Sequence, residues 1–410
     1  MSEWKRYKLG ELLRVKHGWA FKGEFFSDTG VQSILTPGNF YESGGFKANP
    51  SKDRFYSGDY SKEYLCSKGD LVVAMTEQAA GLLGSTAIVP EDNRYLHNQR
   101  IGLISCNESL NKDFAYYLFM TQSVRQQISR SASGTKVKHT SPEKIYDVQV
   151  DIPKIQTQKN IAFFLSSLDK KIQINNQINQ ELEAMAKTLY DYWFVQFDFP
   201  DQNGKPYKSS GGKMVYNPEL KREIPEGWGV ENLFDIADVQ YGYPFSTDYF
   251  NSTGEGVPVI RIRDILGNAI TNYSTEEVED RYKINVGDVL IGMDGNFHMN
   301  YWIKEDCYLN QRVVKVNSDK LPNMVLKYQI EPFIKLREKS VSRTTVGHLS
   351  DKDLKAINVI LPKDKYLSSI FEKFESLLEN IIINQQQNQE LTQLRDWLLP
   401  MLMNGQVKVE

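Results

Sequence analysis

Two short loops carry the residues of this chain best suited to touch a polyanion. SASGTKVKH, residues 131–139, and SVSRTTVGH, residues 340–348, are rich in Ser, Thr and Lys or Arg, and each ends in histidine. Backbone N–H groups, hydroxyls and cationic side chains on a loop suit contact with phosphates and base edges. The plainer reading is a solvated polar loop. Each loop sits in a basic stretch. Arg94–Lys144 holds eight basic and three acidic residues, and Asp306–Ala356 holds ten and six. The whole chain carries a net charge of −3. That excludes coating of nucleic acid by bulk charge but leaves room for local basic faces.

No catalytic constellation accompanies these loops. The sequence lacks a Walker A run, HExxH, GxSxG and a glycine-rich nucleotide fingerprint after a strand. It also lacks the Asn-Pro-Pro-aromatic tetrad with which amino-methyltransferases grip a base nitrogen. Its five histidines, His17, His97, His139, His298 and His348, have no metal-ligand spacing. The three cysteines are too scattered for a disulfide frame or zinc site and point to a reducing cytoplasm. No apolar run reaches the ~18 residues of a membrane span. The chain reads as a binding and positioning protein.

The elements that must position the loops are written twice. From Thr135 to Leu182 the sequence returns 209 residues later without a gap, so INNQINQELE at 174–183 becomes INQQQNQELT at 383–392. The front ends match at an offset of 224: Trp4, Leu9, Val15, Gly18, Phe21 and Phe26 return as Trp228, Leu233, Val239, Gly242, Phe245 and Phe250. In between, Gly69-Asp70 answers Gly287-Asp288, and Asn98-Gln99-Arg100 answers Asn310-Gln311-Arg312. A repeat of that length is a whole domain, which makes the 410-residue chain a pseudo-dimer.

Each copy closes with a long stretch free of glycine and nearly free of proline, entered after Pro153 or Pro362. The apolar positions of the first are Ile161, Leu165, Leu168, Ile172, Leu182, Ala186, Leu189 and Trp193. Their steps of four and three define a heptad seam. Asn175 and Asn179 interrupt this seam, and Asn384 and Asn388 interrupt the second at the same slots. Two helices of about 41 residues would each rise roughly 60 Å. Paired antiparallel about a pseudo-dyad, they would set Asn175 and Asn179 opposite Asn388 and Asn384. Buried asparagine pairs penalise slipped registers, so these residues are expected to lock the helices and fix the distance between the globular parts. A solvated polar helix face is the alternative. Pro400 stands where the first helix has Asp191, so the last turn of the second helix is expected to kink or break. Arg395 replaces a small seam residue.

The globular parts mix short β-rich runs, such as DLVVAM, DVLIGM and PVIRI, with helices near DFAYYLFMTQSVRQQI and MVLKYQIEPFIKLREK, which gives an α+β class. Gly18-Trp19 and Gly242-Tyr243 read most simply as buried turns with packed rings, and otherwise as a binding surface. The expected division is a globular domain at 1–151, a helix at 152–196, a linker at 197–227, a second globular domain at 228–360, a helix at 361–403 and a tail at 404–410.

Three runs taken together resemble one family, the specificity subunits of Type I restriction–modification systems. They are the paired segments IPKIQTQKNIAFFLSSLDKKI and LPKDKYLSSIFEKFESLLENI, the run TLYDYWFVQFDFPDQNGKPYKSSGGKMVYNPELKREIPEGW, and the ending LRDWLLPMLMNGQV. The resemblance spans nearly the full chain. It implies two target-recognition domains that read the halves of a split site in double-stranded DNA, separated by antiparallel coiled-coil helices acting as a ruler. It also implies two methyltransferase subunits docked along the helices and restriction subunits in the full complex. Those partners would hold S-adenosylmethionine, ATP and magnesium, and this chain none of them.

On that reading the DNA surface is expected at Arg130, Thr135, Lys136 and Lys138 in the first half, and at Arg343, Thr344 and Thr345 in the second. Arg261 and Arg263, alternating on an expected strand in VIRIRDI, would face one side. Arg100 and Arg312 fit phosphate clamps or buried salt-bridge partners. Two other readings stand beside this one: a self-contained DNA-modifying enzyme with an atypical site, and a solitary DNA-binding decoy.

Overall fold

The chain divides into two compact units, residues 1–171 with 391–410, and residues 172–390. The computed structural model describes residues 4–134, 137–340, 347–362 and 367–409. Each unit builds the same antiparallel sheet. In the first, strands Leu13–His17, Ile101–Cys106, Leu71–Ala74 and Thr86–Ile88 lie in that order. In the second, Asp238–Tyr241, Val313–Asn317, Val289–Gly292 and Met299–Tyr301 repeat it.

The inner strands explain why this sheet needs cover on both faces. All four residues of Leu71–Ala74 are buried. Successive side chains on a strand point to opposite faces, so Leu71 and Val73 enter one core and Val72 and Ala74 another. Val289 and Ile291 part from Leu290 in the same way. One core takes helices such as Lys112–Met120 in the first unit and Asn323–Ser340 in the second. The other belongs to a small second sheet. It has four strands in the first unit and five in the second, where Lys283–Ile284 is added. Each unit is closed by its opening strand: Lys5–Lys8 pairs with Gln149–Ile152, and Gly229–Asn232 with Asn358–Leu361. The fold is α+β and doubled.

The long helices are Ile155–Tyr190 and Ser368–Met403, 36 residues each, or ~54 Å. Gln158 roots the first one. Its side chain donates to the carbonyls of Ser109 and Pro153 and accepts from the Asn111 N–H, all at 2.9 Å. It thereby ties the first helical turn to the sheet-bearing part of its unit.

Within the second unit the two helices run antiparallel. Asn175 Nδ2 donates to Asn388 Oδ1 at 3.0 Å, and Asn384 Nδ2 donates to Asn179 Oδ1 at 2.9 Å. One number rises by four as the other falls by four. Asn175 is fully buried, and its Oδ1 has no partner. Within the first unit the same seam is polar in another way. Arg395 lies 2.7 Å from Asp169, and the other oxygen of that carboxylate accepts from Tyr117 Oη at 2.5 Å. Burial alone would lower the Arg395 guanidinium, but Asp169 and Asp396 outweigh it and hold it above its ordinary range.

The expected break at Pro400 does not occur. The helix continues to Met403 with Pro400 inside it. A proline this near the end removes one ladder bond only. Leu399, Leu402 and Met403 are buried in the core of their unit, and Asn404 N–H returns to Pro400 O at 3.0 Å. It is the first helix that changes form, widening into a π-helical turn at Asp191–Val195. That turn buries Trp193 and Phe194, and Phe194 lies 6.0 Å from Phe374 and 5.8 Å from Trp228. No helix among the described residues is long and apolar enough to cross a membrane.

Candidate nucleic-acid interface

Four motifs that are far apart in the sequence meet at one place in each unit. In the first, Trp19 N–H donates to His97 O at 3.1 Å and Gln99 N–H donates to Trp19 O at 3.0 Å. This ties the Gly18-Trp19 turn to Asn98-Gln99-Arg100. Met75 N–H then donates to Arg100 O at 2.8 Å, and Thr140 N–H to Met75 O at 3.0 Å. The second unit copies every bond: Tyr243 to Leu309 and Gln311 to Tyr243 at 2.9 Å, Met293 to Arg312 at 3.0 Å, Leu349 to Met293 at 2.8 Å. The glycines are required by this closeness. A Cβ on Gly18 would lie 2.0 Å from Asn98 O, and one on Gly242 would lie 2.0 Å from Asn310 O.

The turn does pack rings, but it is not buried. Trp19 is 38% exposed and stacks on Tyr64 at 5.7 Å. Tyr243 meets Tyr282 edge-on at 5.3 Å and donates its hydroxyl to Glu276 at 2.9 Å. The backbone frame holds the aromatic beside the slot of Arg100 or Arg312, which recurs in both units, because the turn bonds the Asn-Gln-Arg segment directly.

The expected contact residues fall into several classes. Arg130 stands in the last turn of the helix Gln122–Ser131 and is exposed, with no ion pair or hydrogen bond to a described residue. Lys138 is partly committed, donating to Ser129 Oγ at 3.1 Å with Glu77 at 4.0 Å. Thr135, Lys136, Arg343, Thr344 and Thr345 lie outside the described residues. Arg261 and Arg263 do not alternate on a strand. The strand Val257–Ile260 stops short of them, because the Asp264 carboxylate accepts the Arg261 N–H at 2.9 Å and starts a helical turn at Ile262–Ile265. Arg261 instead covers the Phe250 ring at 4.3 Å, while Arg263 is exposed beside Asp264.

Arg100 and Arg312 occupy the same slot in two different environments. Both are exposed. Arg100 has no ion pair with a described residue; Arg312 Nε lies 3.3 Å from Asp294 Oδ2. The residue that differs is the one following the methionine, Thr76 in the first unit and Asp294 in the second. Each pairs across an isolated bridge with a loop histidine, Thr76 with His139 and Asp294 with His348. Thr76 Oγ1 is 3.1 Å from His139 Nδ1, and His348 Nδ1 donates to Asp294 Oδ1 at 2.7 Å.

Sequence reasoning counted Arg125 only as one of the eight basic residues of Arg94–Lys144 and missed its role. Its guanidinium donates to the main-chain carbonyls of Glu42 and Gly81, and burial lowers it to about 10. It therefore pins the loop that follows Thr76. The one signal for this was its position between Val124 and Ile128, at the edge of a buried helix face. Among the described residues no His, Cys, Asp or Glu cluster is arranged to hold a metal ion. Burial pushes the Cys66 thiol up to about 12, well away from a reactive thiolate.

Residues 1–184 and 225–393 each match the family model described as the Type I restriction modification DNA specificity domain. The chain is 27% identical to the MjaIX Type I restriction enzyme specificity subunit of Methanocaldococcus jannaschii over 76% of this chain and 73% of that one. It is 22% identical to the HindI specificity subunit of Haemophilus influenzae over 99% and 100%. Among solved structures, the Type I restriction–modification S subunit of M. genitalium shares its fold with a TM-score of 0.59 and 15% identity, over 98% of this chain and 96% of that one.

Proposed function

The chain belongs to the Type I restriction–modification specificity-subunit family, and from that premise we propose how its parts divide the work. It is a non-catalytic subunit that determines which DNA sequence its complex acts on. Each unit reads one half of a split site. The observation that carries this is the duplicated frame around Trp19 and Tyr243, identical in backbone bonding and different in the side chains it presents. One scaffold with two sets of reading residues is what two unlike half-sites require.

The reading face takes Arg130 and Arg100 in the first unit and Arg312 in the second, beside the loop histidines His139 and His348. The long helices serve as the ruler between half-sites, held in register by the asparagines of the seam. They also offer docking faces for two methyltransferase subunits. Ile174, Ile178 and Met185 recur on one helical face outside the seam and are exposed, as are Leu394 and Trp397 on the second helix. Methyl transfer with S-adenosylmethionine, and ATP-driven restriction with magnesium, belong to the partner subunits. The natural setting is the cytoplasm, where DNA and such partners meet.

The test is a methylome. The chain and its neighbouring methyltransferase are expressed in a host without DNA methylation, and modified bases are mapped by single-molecule sequencing. A split motif that needs both proteins is the expected result. Methylation by this chain alone would make it an enzyme. Co-purification of the two proteins without methylation would make it a decoy.

A further inference from the structure

We infer that Arg312 reads a guanine in the half-site of the second unit, and that Asp294 and His348 are the residues that aim it. This rests on the specificity reading and names the recognition chemistry of one side chain. Three facts carry it. Arg312 is held in place by its backbone, since its carbonyl accepts the Met293 N–H at 3.0 Å. Its Nε faces Asp294 Oδ2 at 3.3 Å, while the other oxygen of Asp294 is taken by His348 Nδ1 at 2.7 Å. Its terminal amino groups donate no hydrogen bond to a described residue, and the side chain is 54% exposed.

A carboxylate paired on the Nε side of the guanidinium draws it to one side of the frame and leaves both terminal amino groups, fixed in the guanidinium plane, open to a ligand. That fork matches the O6 and N7 acceptors of guanine in the major groove. An unanchored arginine can swing to any nearby phosphate and carries little sequence information. Arg100 is this second kind. It occupies the same slot on the same backbone frame, but Thr76 replaces Asp294, and Thr76 offers no charge to hold it. The single exchange of Thr for Asp thus converts a phosphate contact into a base contact. Asp294 is a positioning residue, acting through Arg312.

The experiment uses the full chain with its methyltransferase and the methylome as readout. Arg312→Ala and Arg312→Lys are expected to relax one G·C pair of one half-site, cutting discrimination there roughly ten- to hundred-fold, with the other half-site unchanged. Asp294→Thr should relax the same pair by less. Arg100→Ala should lower methylation at all sites by one common factor and reduce the salt dependence of DNA binding by about one ion. Thr76→Asp should reproduce that loss of salt dependence by tethering Arg100. If Arg312→Ala lowers all sites equally, it is a phosphate contact and the inference fails. An unchanged motif would remove Arg312 from the interface. Absence of any split motif with the wild-type chain would overturn the specificity reading itself, and this inference with it. Melting curves check that each exposed-site variant folds as the parent does.

Discussion

Asn384 donates to Asn179 at 2.9 Å, and Asn179 donates onward to the main-chain carbonyl of Ile381 at 3.2 Å. The contact joins the two long helices through side chains that a purely apolar seam would exclude. A slip of one heptad would put Asn179 opposite Leu377 or Leu391 in place of Asn384 and leave its amide unpaired in a buried position. Such an orphan costs about 1–3 kcal/mol, while slipping an all-leucine seam costs far less. On the proposed reading the asparagines trade stability for register.

Replacing Asn175 and Asn388 together with leucine should raise stability and loosen register. The native pair leaves Asn175 Oδ1 without a partner, so the gain is on the order of 1–3 kcal/mol. Denaturation curves measure the first effect, and the range of spacer lengths in the methylated motif measures the second. If spacer preference and stability both stay put, the asparagines do not set register.

Asp169→Ala should destabilise the first unit by about 3 kcal/mol, because it strips Arg395 of one carboxylate and Tyr117 of its acceptor in a largely buried seam. Asp169→Asn keeps an acceptor for Tyr117 and should cost less. Urea titration followed by tryptophan fluorescence separates the two variants. Equal stability of all three proteins would show that the seam does not depend on this pair.

Stability should fall as pH drops from about 6.5 to about 4, in part through His97. Burial depresses its folded-state value to about 4, and its Nε2 donates to Lys16 O at 3.1 Å. The unfolded chain takes up this proton first, near the ordinary value of 6.5. The neutral histidine's contribution is therefore complete above that pH and is lost progressively down to about 4, a total of about 3 kcal/mol. His97→Gln should flatten the pH profile within this window. A variant profile parallel to the parent's would mean that His97 does not titrate there.

Arg130→Ala should weaken DNA binding by a similar factor for cognate and non-cognate duplexes, and reduce the salt slope by about one. Filter binding at several salt concentrations measures both. A loss confined to the cognate sequence would instead make Arg130 a base reader.

Much of the architecture was legible because it is local and written twice. The buried run of Leu71–Ala74, the heptad steps from Ile161 to Leu189 and the paired asparagines each follow from periodicities of two and 3.5 residues. A second copy shows which of these matter. The site was legible only as a set of motifs. Nothing in Gly18-Trp19, Asn98-Gln99-Arg100, Thr76 and His139 taken singly says that they touch, because main-chain bonds between residues as far apart as Trp19 and Gln99 bring them together.

The sequence by itself determined a duplicated α+β chain with two long seam-bearing helices and a basic stretch in each half, because side-chain period and composition act residue by residue. Tertiary structure alone decided what each charge does. Arg125 went to the carbonyls of Glu42 and Gly81, Arg312 to Asp294, and Arg100 to solvent. Capping by Asp264 took Arg261 off its expected strand, and the buried Leu399, Leu402 and Met403 carried a helix past Pro400. The physical reason is common to all of these. A charge or a hydrogen-bonding group is satisfied by whatever lies within about 3 Å of it, and that neighbour is chosen by chain closure rather than by sequence distance.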